Sequence, residues 1–212
     1  MENPVLIFGA NYIGRAAKEI FEGNGNVVYG FLDDNKELHG KEVDGVMVLG
    51  SIDDDGFLKL VGKKCDAFVA VDDNRLRKSI VKTLNEERKA QPVNAIHSSA
   101  NISSNASVGH GNFIDAGVKI AVGAKLGNFC ILQTGAIISV ESAVGDFVQL
   151  GAGSVINSGS IVENEVFIGS GVTIVSGITI GKGARVGAGS VVIGPVKAGE
   201  TVFGNPAQPI KS

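Results

Sequence analysis

One pattern limits what this chain can fold into more than any other. From Ile96 to Val192 every sixth residue is Ile, Leu or Val, seventeen positions without exception. A repeat of this kind must be read before local propensity, because overlooking it misreads the whole fold. The position two before each aliphatic residue is mostly small or β-branched, as at Ala100, Ala106, Ala124, Cys130 and Ser154. Residues two apart on a strand share a face. Each hexad therefore turns one large and one small side chain inward and then bends. Three hexads close an 18-residue triangular coil, and successive coils stack through parallel strand pairing. Gly127, Gly145, Gly151, Gly169 and Gly187 follow the aliphatic residue, at bends where a side chain would crowd its neighbours. The repeat thus explains a glycine count of 30, about twice the usual share. The register is unbroken, so no long loop leaves the prism. Its packed interior holds no pocket, and any ligand binds outside.

The first half reads differently. Residues 1–95 carry 29 of the charged side chains and 10 glycines, against 12 and 20 in residues 96–212. The shift marks a boundary at Gln91-Pro92, giving domains 1–91 and 92–212. Pro4–Phe8 reads as a short buried strand, and helical spacing follows over Tyr12–Glu22 (Ile13, Ala16, Ala17, Ile20, Phe21). Val27–Leu32 and Cys65–Val71 read as further strands, and Asn74–Arg88 as an amphipathic helix capped by Asp73 or Asn74. Strands alternating with helices imply a small parallel sheet, a Rossmann-like α/β domain ahead of the all-β prism.

Composition removes several classes of function. A net charge of −3 lacks the basic footprint that nucleic acid demands. No stretch has the length of a membrane span or the layout of a signal peptide, so the expectation is a soluble, cytoplasmic protein without a membrane partner. Cys65 and Cys130 are too few and too isolated for disulfides or a zinc site, and no metal is expected. They read as small buried hydrophobes in a reducing compartment.

Four segments recur in a recognisable order: Gly-Phe-Leu-Asp-Asp (30–34), Val-Asp-Asp-Asn-Arg-Leu-Arg-Lys (71–78), Ile-His-Ser-Ser-Ala (96–100) and Gly-Asn-Pro-Ala (204–207). With the hexads, they make the whole chain resemble the sialic acid O-acetyltransferase family, which includes N-acetyltransferases of UDP-linked 4-amino sugars. The resemblance implies a left-handed β-helix, a hand that periodicity alone does not give and that the usual crossover rule would reverse. It further implies a homotrimer, with acetyl-CoA as co-substrate in clefts between neighbouring prisms and a sugar nucleotide as the second small-molecule partner. The weakly charged prism sides suit such self-association.

Carried over by position, the family's glycine-rich turn falls on Gly9, Ala10, Asn11, Tyr12, Ile13 and Gly14, where backbone N–H groups would face a diphosphate. Asp33 and Asp34 would meet uridine or sugar hydroxyls. Tyr12 and Ile13 stand where the family usually has Gly and His, and Asp72 replaces a usual glycine. The plain alternative is an ordinary strand–helix turn with solvated acids. The family's general base, a histidine followed by an acid, maps onto Val140, which takes no proton, beside Glu141. Coenzyme contacts map onto Gln149, in place of a second histidine, and onto Ser170 and Ala188. His110 occupies another corner of the prism, His97 lies in the first coil and His39 in a loop of the first domain. Glu141 is the remaining candidate base, although a carboxylate suits a neutral acceptor poorly unless burial raises its basicity. A substrate amine already deprotonated would need none. The expectation is an acetyl-CoA-dependent acyltransferase of nucleotide-linked amino sugars or sialic-acid-like sugars. The alternatives are a catalytically impaired relative that binds those ligands, and a trimeric scaffold.

Overall fold

The computed structural model describes residues 3–210. They form two compact units that divide between Ser98 and Ser99. This lies a little beyond the Gln91-Pro92 link, because Val93 N–H still donates to Ala67 O and Ala95 is fully buried.

In the first unit β1 (Val5–Phe8) is flanked by β2 (Val28–Leu32) and a later strand, with α1 (Tyr12–Gly23) between β1 and β2 in the chain. A hairpin follows, β3 (Glu42–Val43) and β4 (Val46–Gly50), then the single-turn α2 (Asp55–Leu58), β5 (Asp66–Val69) and α3 (Asn74–Glu86). The sheet order is β3-β4-β2-β1-β5, parallel except for the edge strand β3. Sequence patterning finds β1, β2, β5, α1 and α3, with ends shifted by a few residues. It misses the hairpin and α2. The Asp44-Gly45 turn was the available signal, since both residues adopt positive φ (51° and 80°), as a two-residue hairpin turn requires. Leu6, Ile7, Phe8, Phe31, Leu32 and Phe68 are fully buried, and Phe21 of α1 meets Phe68 edge-on at 5.6 Å. Asp73 is the N-cap of α3, its Oδ1 accepting from Leu76 N–H at 2.7 Å. Arg77 is buried and donates to Val71 O and Asp72 O, fastening the end of β5 to the start of α3.

The second unit is the expected three-sided coil. One side carries the rungs Asn101–Ile102 through Val191–Val192, the next Ser107–Val108 through Thr179–Ile180, and the third Phe113–Ile114 through Arg185–Val186. Register partners lie 18 residues apart, as in Lys119↔Ile137, Lys125↔Ala143 and Ile131↔Gln149. Ile114, Leu132, Leu150, Ile168 and Val186 stack with no exposure. Most polar members of the small inward positions are paired: Asn112 donates to Gly127 O, and the Ser142, Ser160 and Ser190 hydroxyls donate to Asn157 O, Val175 O and Gly187 O, whereas the buried Ser154 hydroxyl has no partner among the described residues. Cys65 and Cys130 are both buried. At Gly169 an added Cβ would lie 2.5 Å from Ala188 N, so the next coil leaves no room for one. Beyond Val192 the step shortens, with Arg185 pairing to Thr201 rather than to a residue 18 further on. The strand Gln208–Pro209 then folds back antiparallel on Thr201–Phe203.

Candidate functional site

The first cluster of predicted residues lies at the carboxyl ends of the parallel strands. Gly9 has φ +111°, and at Gly14 an added Cβ would sit 1.9 Å from Gly9 O, so α1 starts hard against the turn. Asn11 is the N-cap: its Oδ1 accepts from Ile13 N–H (2.9 Å) and Gly14 N–H (3.1 Å). The carboxylate of Asp33 accepts from Ala10 N–H at 2.8 Å through Oδ2 and from Asn35 N–H through Oδ1. Of the turn's donors, those of Ala10, Ile13 and Gly14 are therefore held by side chains of the unit itself. Asp34 accepts from Ile52 N–H at 3.1 Å. It edges a cavity of about 210 Å³ lined mainly by Phe8, Ile52, Leu58, Ile80 and Leu84, with Asp53 at the same rim. Sequence reasoning did not find this cavity, because it depends on the unforeseen α2. His39 Nε2 lies 2.7 Å from Asp33 O.

Tyr12 and Asp72, two separate departures from the family pattern, meet in space. The tyrosine hydroxyl donates to Asp72 Oδ2 at 2.9 Å across 60 residues of chain. Partial burial, then the hydrogen bond and the charge of Asp72, push the Tyr12 hydroxyl up to about 12.

On the prism, Val140 and Glu141 occupy the corner between the first and second sides. Both are exposed, Val140 at 40 % with Val122 beneath it at 46 %. Glu141 has φ +57°, whereas its column mates Gly123, Gly159 and Gly177 are the glycines that this left-handed corner favours. Its N–H donates to Val122 O, and Gly159 N–H to Val140 O, so the backbone of the corner continues the ladder. Gln149 lies on the third side between Ile131 and Phe167. Ser170 and Ala188 stack at the corner that follows this side, where Gly189 N–H donates to Ser170 O. In a triangular coil the third side is opposite the Val140–Glu141 corner. A single chain therefore does not bring Glu141 together with Gln149, Ser170 and Ala188. His110 sits at the remaining corner, its N–H on Asn128 Oδ1. Asn128 in turn donates to Asp146, and Asp146 N–H to Asn164, a polar ladder readable as Asn/Asp every 18 residues but not found from the sequence.

The chain thus joins an α/β unit with acids at its strand ends to a hexapeptide prism. The PglD N-terminal domain family matches residues 4–84, and the six-repeat bacterial transferase hexapeptide family matches residues 159–194. The perosamine N-acetyltransferase of Caulobacter crescentus is 30% identical over 100% of this chain and 99% of its own, with a TM-score of 0.91. That enzyme is known with CoA and GDP-perosamine bound, in variants that carry Asn or Ala in place of one histidine. The acetyltransferase domain of PglB from Neisseria gonorrhoeae, seen with acetyl coenzyme A, is 27% identical over 99% of this chain and 100% of its own, at a TM-score of 0.90. WeeI of Acinetobacter baumannii, 24% identical over 99% and 100%, shares the fold at a TM-score of 0.87. No curated protein sequence matches significantly. The chain belongs to this family of hexapeptide-repeat acetyltransferases with a PglD-type N-terminal domain.

Proposed function

We propose that the protein is an acetyl-CoA-dependent acyltransferase for a nucleotide-linked amino sugar, working as a homotrimer. The observation that carries this reading is whole-chain likeness to an enzyme known with CoA and GDP-perosamine bound. In the reaction the amine nitrogen of the sugar attacks the thioester carbonyl, the C–S bond breaks, CoA leaves as the thiolate, and the nitrogen sheds one proton. The separation of Glu141 from Gln149, Ser170 and Ala188 supports a site completed by a neighbouring copy. One prism would supply the Glu141 corner and the other the coenzyme contacts. The same reading assigns the Asp33–Asp34 region to the nucleotide or sugar hydroxyls.

Proton removal is where this chain departs from its relatives. Val140 contributes no base, and Glu141 is the only ionisable side chain in the corner column formed with Gly123, Gly159 and Gly177. Glu141 therefore takes the proton directly or through water, or an amine that arrives unprotonated loses it to solvent. The aliphatic residue at 140 also favours a second reading, a relative that binds both ligands and transfers slowly or not at all. In the Caulobacter enzyme, replacement of one histidine is compatible with both ligands being bound. Titrating the purified protein with acetyl-CoA and with GDP- and UDP-amino sugars, while following thiol release, separates the two. Binding with thiol release that is lost in Glu141→Gln supports Glu141 as base. Binding without release supports the impaired relative, and failure to bind either ligand rejects both readings.

A further inference from the structure

The sheet order places β1 between β2, which the chain enters next, and β5, which it reaches only after crossing back. In open α/β sheets ligands bind in the crevice outside the carboxyl ends of the strands where the chain reverses direction in this way. Here the crevice is bridged. Tyr12, the first residue of α1, reaches over it to Asp72, which follows β5. The Asp72 end is anchored from below, because buried Arg77 donates to Asp72 O and Val71 O. On the other flank of the turn Asp33 holds Ala10 N–H. Two carboxylates thus stand on either side of the α1 N-terminus, and Asn11 takes two of its first N–H groups.

We infer that Tyr12 and Asp72 form a specificity-determining bridge that keeps phosphate off the α1 N-terminus and admits an uncharged, hydroxyl-bearing part of the ligand instead. The inference rests on the reading that this unit takes a sugar nucleotide. A helix N-terminus attracts anions through its partial positive charge and free N–H groups. In this chain the charge is already answered by Asp33 and Asp72, and most of the donors are taken. A diphosphate arriving there meets like charge and must displace the tyrosine ring. A ribose or pyranose hydroxyl donates to either carboxylate with no such penalty. With its hydroxyl pushed up to about 12, Tyr12 remains a donor at neutral pH, so the bridge opens by displacement and not by titration.

Calorimetric titration of the full chain with GDP, UDP, guanosine and uridine tests the bridge. Asp72→Asn keeps the shape and removes the charge. It should tighten the diphosphates about tenfold at low salt and leave the nucleosides within about twofold, and the gain should shrink at roughly 0.5 M salt. Tyr12→Phe breaks the bridge but keeps the carboxylate, and should yield a smaller gain of about threefold. Both side chains are exposed, so both variants should fold, which circular dichroism checks. Diphosphate affinity unchanged or weaker in Asp72→Asn, or a nucleoside gain of the same size, overturns the bridge. If the wild type binds GDP or UDP and no variant differs, the nucleotide reading stands and the bridge alone falls. If neither nucleotide nor sugar nucleotide binds any form, both fall together.

Discussion

The prism and the α/β unit place their candidate functional residues on opposite terms with their own stability. On the prism, inward positions are dictated by burial and the glycines after them by contact with the next coil, while the outward column at the Val140 corner varies in residue type. The column Val122, Val140, Ser158, Ser176 accepts an aliphatic or a hydroxyl with the same backbone ladder. Chemistry at such a corner can change without disturbing the fold. In the α/β unit the candidate residues also hold the turn: Asn11 caps α1, Asp33 fixes Ala10, and Asp34 fixes Ile52. Altering what these residues recognise also alters what they support.

The largest effect expected from this contrast is catalytic. Val140→His puts an imidazole beside Glu141, and a positioned base contributes about 10²–10⁴ in rate. Acetyl transfer to a correct acceptor should rise by a factor in that range, while stability should move by less than about 0.5 kcal/mol because the position is exposed. A stability loss of several kcal/mol would break the claim that this corner column tolerates exchange. Gly169→Ala tests the opposite half of the claim. Its Cβ meets the backbone of Ala188 at 2.5 Å, and the variant should lose about 2–3 kcal/mol in chemical denaturation. Gly153, at φ +65° with open space around it, should lose only about 1 kcal/mol on the same change. Equal losses at the two would remove the distinction between crowded and merely left-handed glycines.

In the α/β unit the effects are smaller but coupled. Asn11→Ala should cost about 1 kcal/mol of stability through the lost cap, and nucleotide affinity should fall with it. Loss of one without the other would show that structure and recognition separate here as they do on the prism. The smallest effect is a titration. The folded protein holds the Tyr12 proton to about 12, above the ordinary 10.0. The stability tied to the neutral hydroxyl, through its burial first and the Asp72 bond second, is therefore whole below pH 10.0 and is lost as pH rises from there through about 12. Tyrosinate absorbance should show one of the two tyrosines, Tyr12 and Tyr29, ionising late, and Asp72→Asn should bring it earlier.

How much of this was legible in the sequence follows from the same contrast. One physical rule, repeated seventeen times, gave the prism its sides, its period and the crowding at Gly169. The corner separating His110 from Val140 followed from the same 18-residue arithmetic. The α/β unit is built from contacts that occur once. Glu42–Val43 is too short to alternate and Asp55–Leu58 too short to show a helical period, so the hairpin and α2 escaped, and the cavity beside Asp34 with them. Tyr12 and Asp72 were each visible as departures from the family pattern. Nothing in a single sequence joins two residues 60 apart. At the corner between the second and third sides Phe129, Phe147 and Glu165 share the positive φ of Gly111 and Gly183, as Glu141 does among the glycines of its own corner, so glycine alone does not mark these bends.

The shortened final coil has a consequence for how the molecule meets its own kind end to end. A stack of parallel rungs finishes in a row of unpaired backbone groups, which is a template for the next chain to extend. Here the row is consumed from within. Val191 N–H donates to Gly204 O, Ala207 N–H to Val191 O, Val196 pairs with Ile180, and Ile210 N–H closes on Thr201 O. Pro209 lies in the outermost strand, where its missing N–H withholds one more donor from an incoming edge. The tail caps this end of the prism, occupying backbone groups on which an added rung would pair.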